Sequence, residues 1–154
     1  MPKNPMGMMR GTLGKQLSSG RASQRRLAPR ESQHTNFTNN SGETLVPGDV
    51  VIIDLANDTS VVLTDPGDTL RVPLVVMAGA VDGDIVKCYT PGYNIVVVTC
   101  DAAAISRGDA LVASGTQRQA TPSGAPALLT TLGVAVTEKA GGAAGHVSVL
   151  LLSR

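Results

Sequence analysis

The sequence has very few aromatic residues. Only 2% of its 154 residues are aromatic, with no Trp, two Tyr and one Phe. Because aromatic side chains bury the largest areas, this shortage leaves Val, Leu, Ile and Ala to build the core, where each buried Val or Leu contributes roughly 1.5–3 kcal/mol. The length fits one domain. A domain with so thin a core gains from further burial between subunits, so we expect a homo-oligomer.

Histidine and cysteine are equally scarce. The two histidines, His34 and His146, are too few for a metal site of the His or Cys/His type. The two cysteines are Cys88 and Cys100. If the segment between them forms a hairpin that turns at residues 91–94, their Cα atoms lie further apart than the ~7 Å that a disulfide spans. We therefore predict that both cysteines are reduced and buried, and we expect no metal and no cofactor.

No catalytic motif is complete in this sequence. It has no Gly-x-Ser-x-Gly nucleophile turn, and residues 11–15 lack the spacing and the preceding strand of a phosphate-binding loop. A trimeric all-β nucleotide hydrolase of similar length would need a strand-borne Asp within a Gly/Tyr-Arg-Gly nucleotide motif, which the sequence lacks. The acidic pairs Asp65 with Asp68 and Asp82 with Asp84 do not have EF-hand spacing, so we interpret them as turn-capping residues and not as a calcium site. We predict that the protein is not an enzyme.

Long apolar runs are missing as well. No run reaches the roughly 18 residues that a transmembrane helix needs. The N-terminus lacks the continuous apolar stretch of a secretory signal. We therefore expect no membrane partner, and we expect synthesis in a cytoplasm.

The charges are divided unevenly along the chain, although the total is only +1. Residues 1–44 carry seven positive and two negative side chains, a net charge of +5, whereas residues 45–154 carry six and ten, a net charge of −4. The first 43 residues are also poor in β-branched residues and show no helical or alternating period. We predict that residues 1–43 are an extended basic N-terminal arm and that residues 44–154 are a β-rich domain.

The arm carries side chains that suit a partner surface. Methionine thioethers adapt to irregular apolar surfaces, and arginines pair with acidic ones. We predict that the arm binds its partner through Met6, Met8, Met9, Arg10, Leu13, Leu17, Arg21, Arg25, Arg26, Leu27, Arg30 and Phe37.

From residue 45 onward, short β-branched runs alternate with Gly, Pro, Asp and Asn, which is typical of an all-β sandwich or barrel. We predict an all-β fold, a small β-barrel of about eight short strands. Residues 101–105 are predicted to form a single helical turn capped by Asp101, and residues 116–127 a polar loop, because Pro122 and Pro126 cannot donate to a ladder. The predicted strands cover residues 50–55, 60–64, 70–77, 84–90, 94–99, 109–113, 132–137 and 146–152.

A Gly-Asp pair precedes three of these strands, at residues 48–49, 83–84 and 108–109. In such a turn, Gly supplies the tight backbone and Asp accepts bonds from nearby N–H groups. The spacings of 35 and 25 residues are too irregular for a solenoid, so we interpret the pair as one kind of turn used three times. The third pair lies within Arg107-Gly108-Asp109, a cell-adhesion tripeptide that the same turn explains without a receptor.

Four segments of roughly the last 110 residues form a recognisable set. They are Val46-Pro47-Gly48-Asp49-Val50-Val51, Arg107-Gly108-Asp109-Ala110-Leu111-Val112, Leu132-Gly133-Val134-Ala135-Val136 and Gly145-His146-Val147-Ser148-Val149-Leu150-Leu151. Together they resemble the small capsid decoration, or cement, proteins of tailed bacteriophages. The resemblance implies a β-tulip-type module, located on the outer capsid surface of the virion, that binds the major capsid protein and cements neighbouring capsid subunits of the expanded head. It also implies a homotrimer, with a dimer as the alternative.

Two alternatives stay open. The basic arm could bind nucleic acid by neutralising phosphates. The acidic body, with few aromatic residues for stacking on bases, argues against that use. The chain could also be another β-rich virion component, such as a tail or spike part.

Overall fold

The computed structural model describes residues 34–64, 72–89, 92, 94–125, 127 and 130–152. These residues form ten β-strands and no helix, which confirms the all-β prediction. They belong to one compact unit, and within them no helix has the length and apolar character that crossing a membrane requires. The strands close into two five-stranded barrels in place of the single barrel of about eight strands that the sequence suggested.

The first barrel lies between residues 34 and 89. Its strand order around the ring is β1-β3-β2-β4-β5, and β5 pairs with β1 to close it. All neighbours are antiparallel except β1 and β3, which are parallel. The strands are β1 (His34–Asn39), β2 (Val50–Ile53), β3 (Ser60–Leu63), β4 (Pro73–Ala78) and β5 (Ile85–Tyr89).

The second barrel repeats this topology strand for strand. Its ring order is β6-β8-β7-β9-β10, closed by β10 on β6, and its one parallel pair is β6 with β8. The barrels are therefore two copies of one architecture in tandem. The strands are β6 (Ile95–Cys100), β7 (Ala110–Ala113), β8 (Ala120–Pro122), β9 (Thr131–Ala135) and β10 (Gly145–Leu151).

The Gly-Asp turns show the repeat at atomic level. Gly48 and Gly108, which occupy equivalent places before β2 and β7, have φ values of +93° and +94°. The Asp49 carboxylate accepts the Val46 N–H at 2.8 Å, and the Asp109 carboxylate accepts the Ser106 N–H at 2.7 Å. Only glycine adopts such a φ at low cost, and the aspartate fixes the turn that precedes the strand. Two of the three Gly-Asp pairs are thus the same structural position in two barrels.

Each barrel has its own aliphatic core. Equivalent strand positions supply equivalent side chains, for example Val51 and Leu111, or Val86 and Val147, all fully buried. The first core comprises Leu45, Val51, Val61, Leu74, Val76, Val86 and Cys88. The second comprises Val96, Val98, Cys100, Ile105, Leu111, Ala120, Leu132, Ala135, Val147, Val149 and Leu151, with Val50 and Val75 of the first barrel added to it.

The eight predicted strands all appear within a few residues of their expected bounds, and two strands were not predicted. β1 lies in the segment assigned to the arm, and β8 lies inside the predicted polar loop. The sequence of β1, HTNFTN, has one apolar residue, so its strand character comes from pairing with β5 and not from an apolar pattern. Pro122 ends β8, where its missing N–H does not interrupt the strand.

Two local expectations were wrong. β5 and β6 do not pair as a hairpin, because each closes a different barrel. Residues 102 and 103 form a bend and Ile105 forms a β-bridge with Lys139, so residues 101–105 are not a helical turn. Asp101 still accepts a backbone hydrogen bond there, from the Ala103 N–H at 3.0 Å.

Gly133 on β9 should be essential for closing the second barrel. A Cβ at this position would overlap the Leu150 backbone carbonyl and would lie 2.7 Å from the Val149 Cγ1. Because backbone cannot yield as a flexible side chain does, we expect Gly133→Ala to lower the free energy of unfolding by about 1–3 kcal/mol in urea denaturation. Gly124→Ala is the control, since a Cβ there meets nothing within 4 Å. Equal losses in the two variants would contradict this packing.

Candidate functional site

Of the twelve arm residues predicted to bind a partner, only Phe37 lies in the described part of the chain. Phe37 lies on β1, is partly buried and packs against the first core, and its contact with a partner stays a prediction. The other eleven residues lie outside the described part of the chain: Met6, Met8, Met9, Arg10, Leu13, Leu17, Arg21, Arg25, Arg26, Leu27 and Arg30.

The two cysteines are free and buried, as predicted. Burial raises the pKa of the Cys88 thiol to about 12. Burial, together with the nearby Asp101 carboxylate, raises the pKa of Cys100 to about 11. Because the thiolate is the reactive form, both side chains act as small apolar core residues.

The acidic and imidazole groups do not converge in the described residues. No group of three or more His, Cys, Asp or Glu side chains is placed there to hold a metal ion. His34 and His146 are exposed on different barrels. Asp82 accepts the Gly42 N–H at 2.8 Å and so joins two loops, while Asp65 and Asp68 lie outside the described residues.

The most organised polar site is the seam between the two barrels, and Arg118 is its centre. The Arg118 side chain donates to the Asp49 Oδ2 twice, from Nε at 3.0 Å and from Nη2 at 2.8 Å. It also donates to the Thr44 carbonyl at 2.9 Å and to the Glu43 carboxylate at 3.2 Å. One arginine of the second barrel therefore binds the whole loop that leads into β2 of the first barrel.

The burial of these groups indicates which contact matters most. The Asp49 side chain is 5% exposed, Arg118 is 30% exposed and Glu43 is 53% exposed. An exposed ion pair contributes little, whereas a charge-assisted pair with a buried carboxylate is strong and costly to break. The Arg118–Asp49 pair thus dominates the polar part of the seam.

Backbone hydrogen bonds at the seam show how the first barrel joins the second. In the first barrel the Thr38 N–H donates to the Thr59 carbonyl at 2.9 Å, which joins β1 to the turn before β3. In the second barrel the equivalent Thr99 N–H donates instead to the Gly48 carbonyl, at 2.9 Å, and the Arg118 carbonyl accepts the Val50 N–H at 3.0 Å. Residues 48–50 of the first barrel are therefore inserted between β6 and the turn before β8.

The backbone of Arg118 is unusual in a way that fits this insertion. Its φ of +67° makes it the one described non-glycine residue with a positive φ. A left-handed conformation costs an ordinary residue roughly 1–2 kcal/mol. The contacts with Asp49, Thr44 and Val50 offset that cost and hold the carbonyl towards the first barrel.

A second polar pair supports the second barrel. Asp101, just after β6, accepts the Ser114 hydroxyl at 2.6 Å and the Ala103 N–H at 3.0 Å. Burial opposes ionisation of Asp101, but these hydrogen bonds outweigh it and lower its pKa. The first barrel has an equivalent contact in which the roles are exchanged. Asn40, at the place of Asp101, donates at 3.3 Å to the carboxylate of Asp54, which is at the place of Ser114.

Replacing Arg118 should destabilise the protein. Arg118→Ala leaves the buried Asp49 carboxylate without its cation, so we expect a loss of about 2 kcal/mol in the free energy of unfolding, measured by urea denaturation with circular dichroism. Arg118→Lys keeps the charge but not the planar fork, so its loss should be intermediate. Arg107→Ala, at an exposed position, is the control. A loss for Arg118→Ala no larger than that of the control would refute the role of the seam.

The Asp101 pair makes a pH-dependent contribution to stability. A carboxylate whose pKa is lowered by folding stabilises the protein above the pKa of the unfolded chain, and this stability disappears as the pH falls through the folded value. Asp101→Asn should therefore cost about 1 kcal/mol at pH 7. The difference from wild type should shrink between pH 5 and pH 3, as followed by urea denaturation at each pH. A constant difference across this range would show that the charge is irrelevant.

Comparison with known proteins yields a likeness of fold. No protein-family model and no curated protein sequence matches the chain. Among solved structures, the chain is similar to the N base of the head fibre protein gp8.5 of bacteriophage phi29, with a TM-score of 0.51 and 18% sequence identity. The alignment covers 79% of this chain and 100% of that one. The arrangement of strands is therefore one that a phage head fibre base also adopts.

Proposed function

We propose that the protein is a structural component of a phage virion that binds the outer surface of the head and cements neighbouring major capsid subunits. The observation that carries the proposal is the likeness of the two-barrel unit to a phage head fibre base along the whole length of that base. The resemblance of the sequence to capsid decoration proteins supports the same placement on a phage head.

The polar and thiol groups of the described residues suit a protein that binds a partner better than one that catalyses a reaction. The polar groups at the seam and at the Asp101 pair hold one part of the chain to another. Both thiols are buried and stay protonated at neutral pH, so neither is a nucleophile. These contacts stabilise the fold, which is what a structural, non-enzymatic role requires.

The basic segment before β1 provides the proposed contact with the capsid. This segment contains all seven positive side chains of residues 1–44, whose net charge is +5 against −4 on the rest, so it favours an acidic partner surface. Its Arg21, Arg25, Arg26 and Arg30 would pair with carboxylates of the major capsid protein, and the Met and Leu residues would fill apolar depressions. Many copies on one shell would then reinforce it through avidity.

A homotrimer is part of the proposal. The shortage of aromatic residues leaves each barrel with a small aliphatic core, and association buries further apolar surface. A trimer also matches the decoration proteins that the sequence resembles, with a dimer as the alternative.

The fold likeness favours a second candidate function, in which the two barrels form the foot of a fibre that projects from the head. This candidate differs from cementing in what the bound protein does for the shell. A cement protein raises the rupture temperature of the head at full occupancy, whereas a fibre foot binds the head and leaves that temperature unchanged.

The experiment mixes the purified full-length protein with expanded heads that lack it, and measures occupancy and rupture temperature. We expect saturable binding and a higher rupture temperature. The variant with Arg21, Arg25, Arg26 and Arg30 all changed to Gln should bind about tenfold more weakly, since four exposed ion pairs contribute about 0.3–0.5 kcal/mol each.

The matched control replaces Lys87 and Arg107, which are exposed on the barrels, with Gln. It should bind like wild type. Absence of binding to heads would refute the proposal, and equal weakening of both variants would remove the arm from the contact. Binding without a change in rupture temperature would favour the fibre foot.

A further inference from the structure

The Gly-Asp turn of the first barrel binds the second barrel through its backbone and through its carboxylate. The Gly48 carbonyl accepts the Thr99 N–H of β6 at 2.9 Å. Two residues later, the Val50 N–H donates to the Arg118 carbonyl at 3.0 Å. Between them, the Asp49 carboxylate accepts the Arg118 side chain. This turn therefore recognises a strand edge together with an arginine that lies beside that edge.

The Gly-Asp turn of the second barrel has the same shape. The φ of Gly108 is +94°, against +93° for Gly48. Each glycine N–H donates at 2.9 Å to the strand that is its neighbour in the ring, at Ala135 and at Val76 respectively. Each aspartate carboxylate accepts the N–H three residues earlier, at 2.7 Å for Asp109 and at 2.8 Å in the first barrel. The second turn is therefore a copy of the first in backbone and in side chain.

On this second turn, residues 108–110, the groups that dock the first turn have no partner in the described part of the chain. No described residue donates to the Gly108 carbonyl, and none accepts the Ala110 N–H. The Asp109 carboxylate accepts the Ser106 N–H, but no described cation pairs with it. A strand-edge acceptor, a strand-edge donor and a carboxylate are thus left open side by side.

The second turn also keeps the further acceptor that an arginine uses at the seam. There the Arg118 Nη2 lies 2.8 Å from the Asp49 carboxylate and 2.9 Å from the Thr44 carbonyl. Ala104 stands at the place of Thr44, is exposed, and receives no hydrogen bond on its carbonyl from any described residue. Only the exposed Glu43 has no counterpart, because an alanine stands at its place.

Apolar side chains beside the second turn match the seam as well. Val50 and Val75 are cross-strand neighbours that are fully buried against the second core. Ala110 and Val134 are the equivalent neighbours on β7 and β9, and both are only half-buried. A protein that docks on the second turn would cover them, as the second barrel covers the two valines.

We propose that the second turn binds an arginine of a partner protein, together with the strand edge beside that arginine. The chemistry of the partner follows from the occupied turn, where Arg118 fills the same set of acceptors, and from the unpaired charge of Asp109. Main-chain hydrogen bonds along a strand edge give affinity, and the charged pair gives specificity. The inference rests on the proposed function, in which the partner is a protein of the phage head.

A second copy of this chain does not offer the edge that the second turn needs. In the first barrel the Thr38 N–H, at the place of Thr99, already donates to the Thr59 carbonyl at 2.9 Å. In the second barrel the Thr99 N–H and the Arg118 side chain are already bound to the first turn. The occupant is therefore a different protein.

The test compares the binding of full-length wild type and of the variant Asp109→Asn to expanded heads. An asparagine oxygen still accepts the Ser106 N–H, so the thermal unfolding midpoint should stay the same while the charge is lost. We expect binding about tenfold weaker, because a hydrogen bond to a charged group is stronger than a neutral one. Asp58→Asn, at an exposed position in the turn before β3, is the matched control and should bind like wild type. The control with Lys87 and Arg107 changed to Gln leaves the groups of the second turn in place, so its expected binding is unaffected.

Equal binding of Asp109→Asn and wild type would overturn this inference and leave the proposed function standing, whereas absence of wild-type binding would overturn both. Photo-cross-linking provides a second measurement. Arg107→Cys places an accessible thiol beside the turn, and both native thiols are buried. Labelled with benzophenone maleimide, this variant should cross-link to a head protein at a peptide that contains an arginine. Cross-links that join two copies of the chain instead would overturn the inference.

Discussion

The insertion of residues 48–50 between β6 and the turn before β8 is the constraint on which the rest of the structure depends. The two strands β6 and β8 pair directly at one position, Cys100 with Ala120, so backbone of the first barrel supplies the neighbouring hydrogen bonds. Arg118 fixes this arrangement through the buried Asp49 carboxylate. The second barrel closes through its own strands, but residues of the first barrel complete its core and the hydrogen bonds at this edge.

The two barrels show how one architecture tolerates different residues. Leu45 and Ile105 occupy equivalent places and are buried alike, and so are Val61 and Ala120. Burial requires an aliphatic side chain of suitable volume at these places and not a particular residue, because the hydrophobic effect is not directional. At Gly48 with Gly108 and Asp49 with Asp109 the residue is kept for a local reason, because a positive φ and a short acceptor side chain leave few choices.

Those facts also explain what could be predicted from the sequence. The all-β class and eight strands followed from local β-branched runs and turn residues. The duplication could not be predicted. The matching Gly-Asp pairs are 60 residues apart, and a third pair at residues 83–84 lies between them, so the spacing of the pairs looked irregular. β1 was missed because HTNFTN has no apolar alternation. The seam was missed because Arg118 pairs with residues about 70 positions earlier, a separation that no local pattern records.

The tandem order of the barrels has a consequence for synthesis. β5 ends at Tyr89, so the first ring can close on the ribosome before the second is made. β10, which closes the second ring, ends at Leu151, and at about 5–20 residues per second it follows several seconds later. During that interval Val50 and Val75 face water on an otherwise finished barrel. A nascent chain of this protein therefore exposes these two apolar side chains to its surroundings, and the speed of translation from β6 to β10 determines how long they stay uncovered.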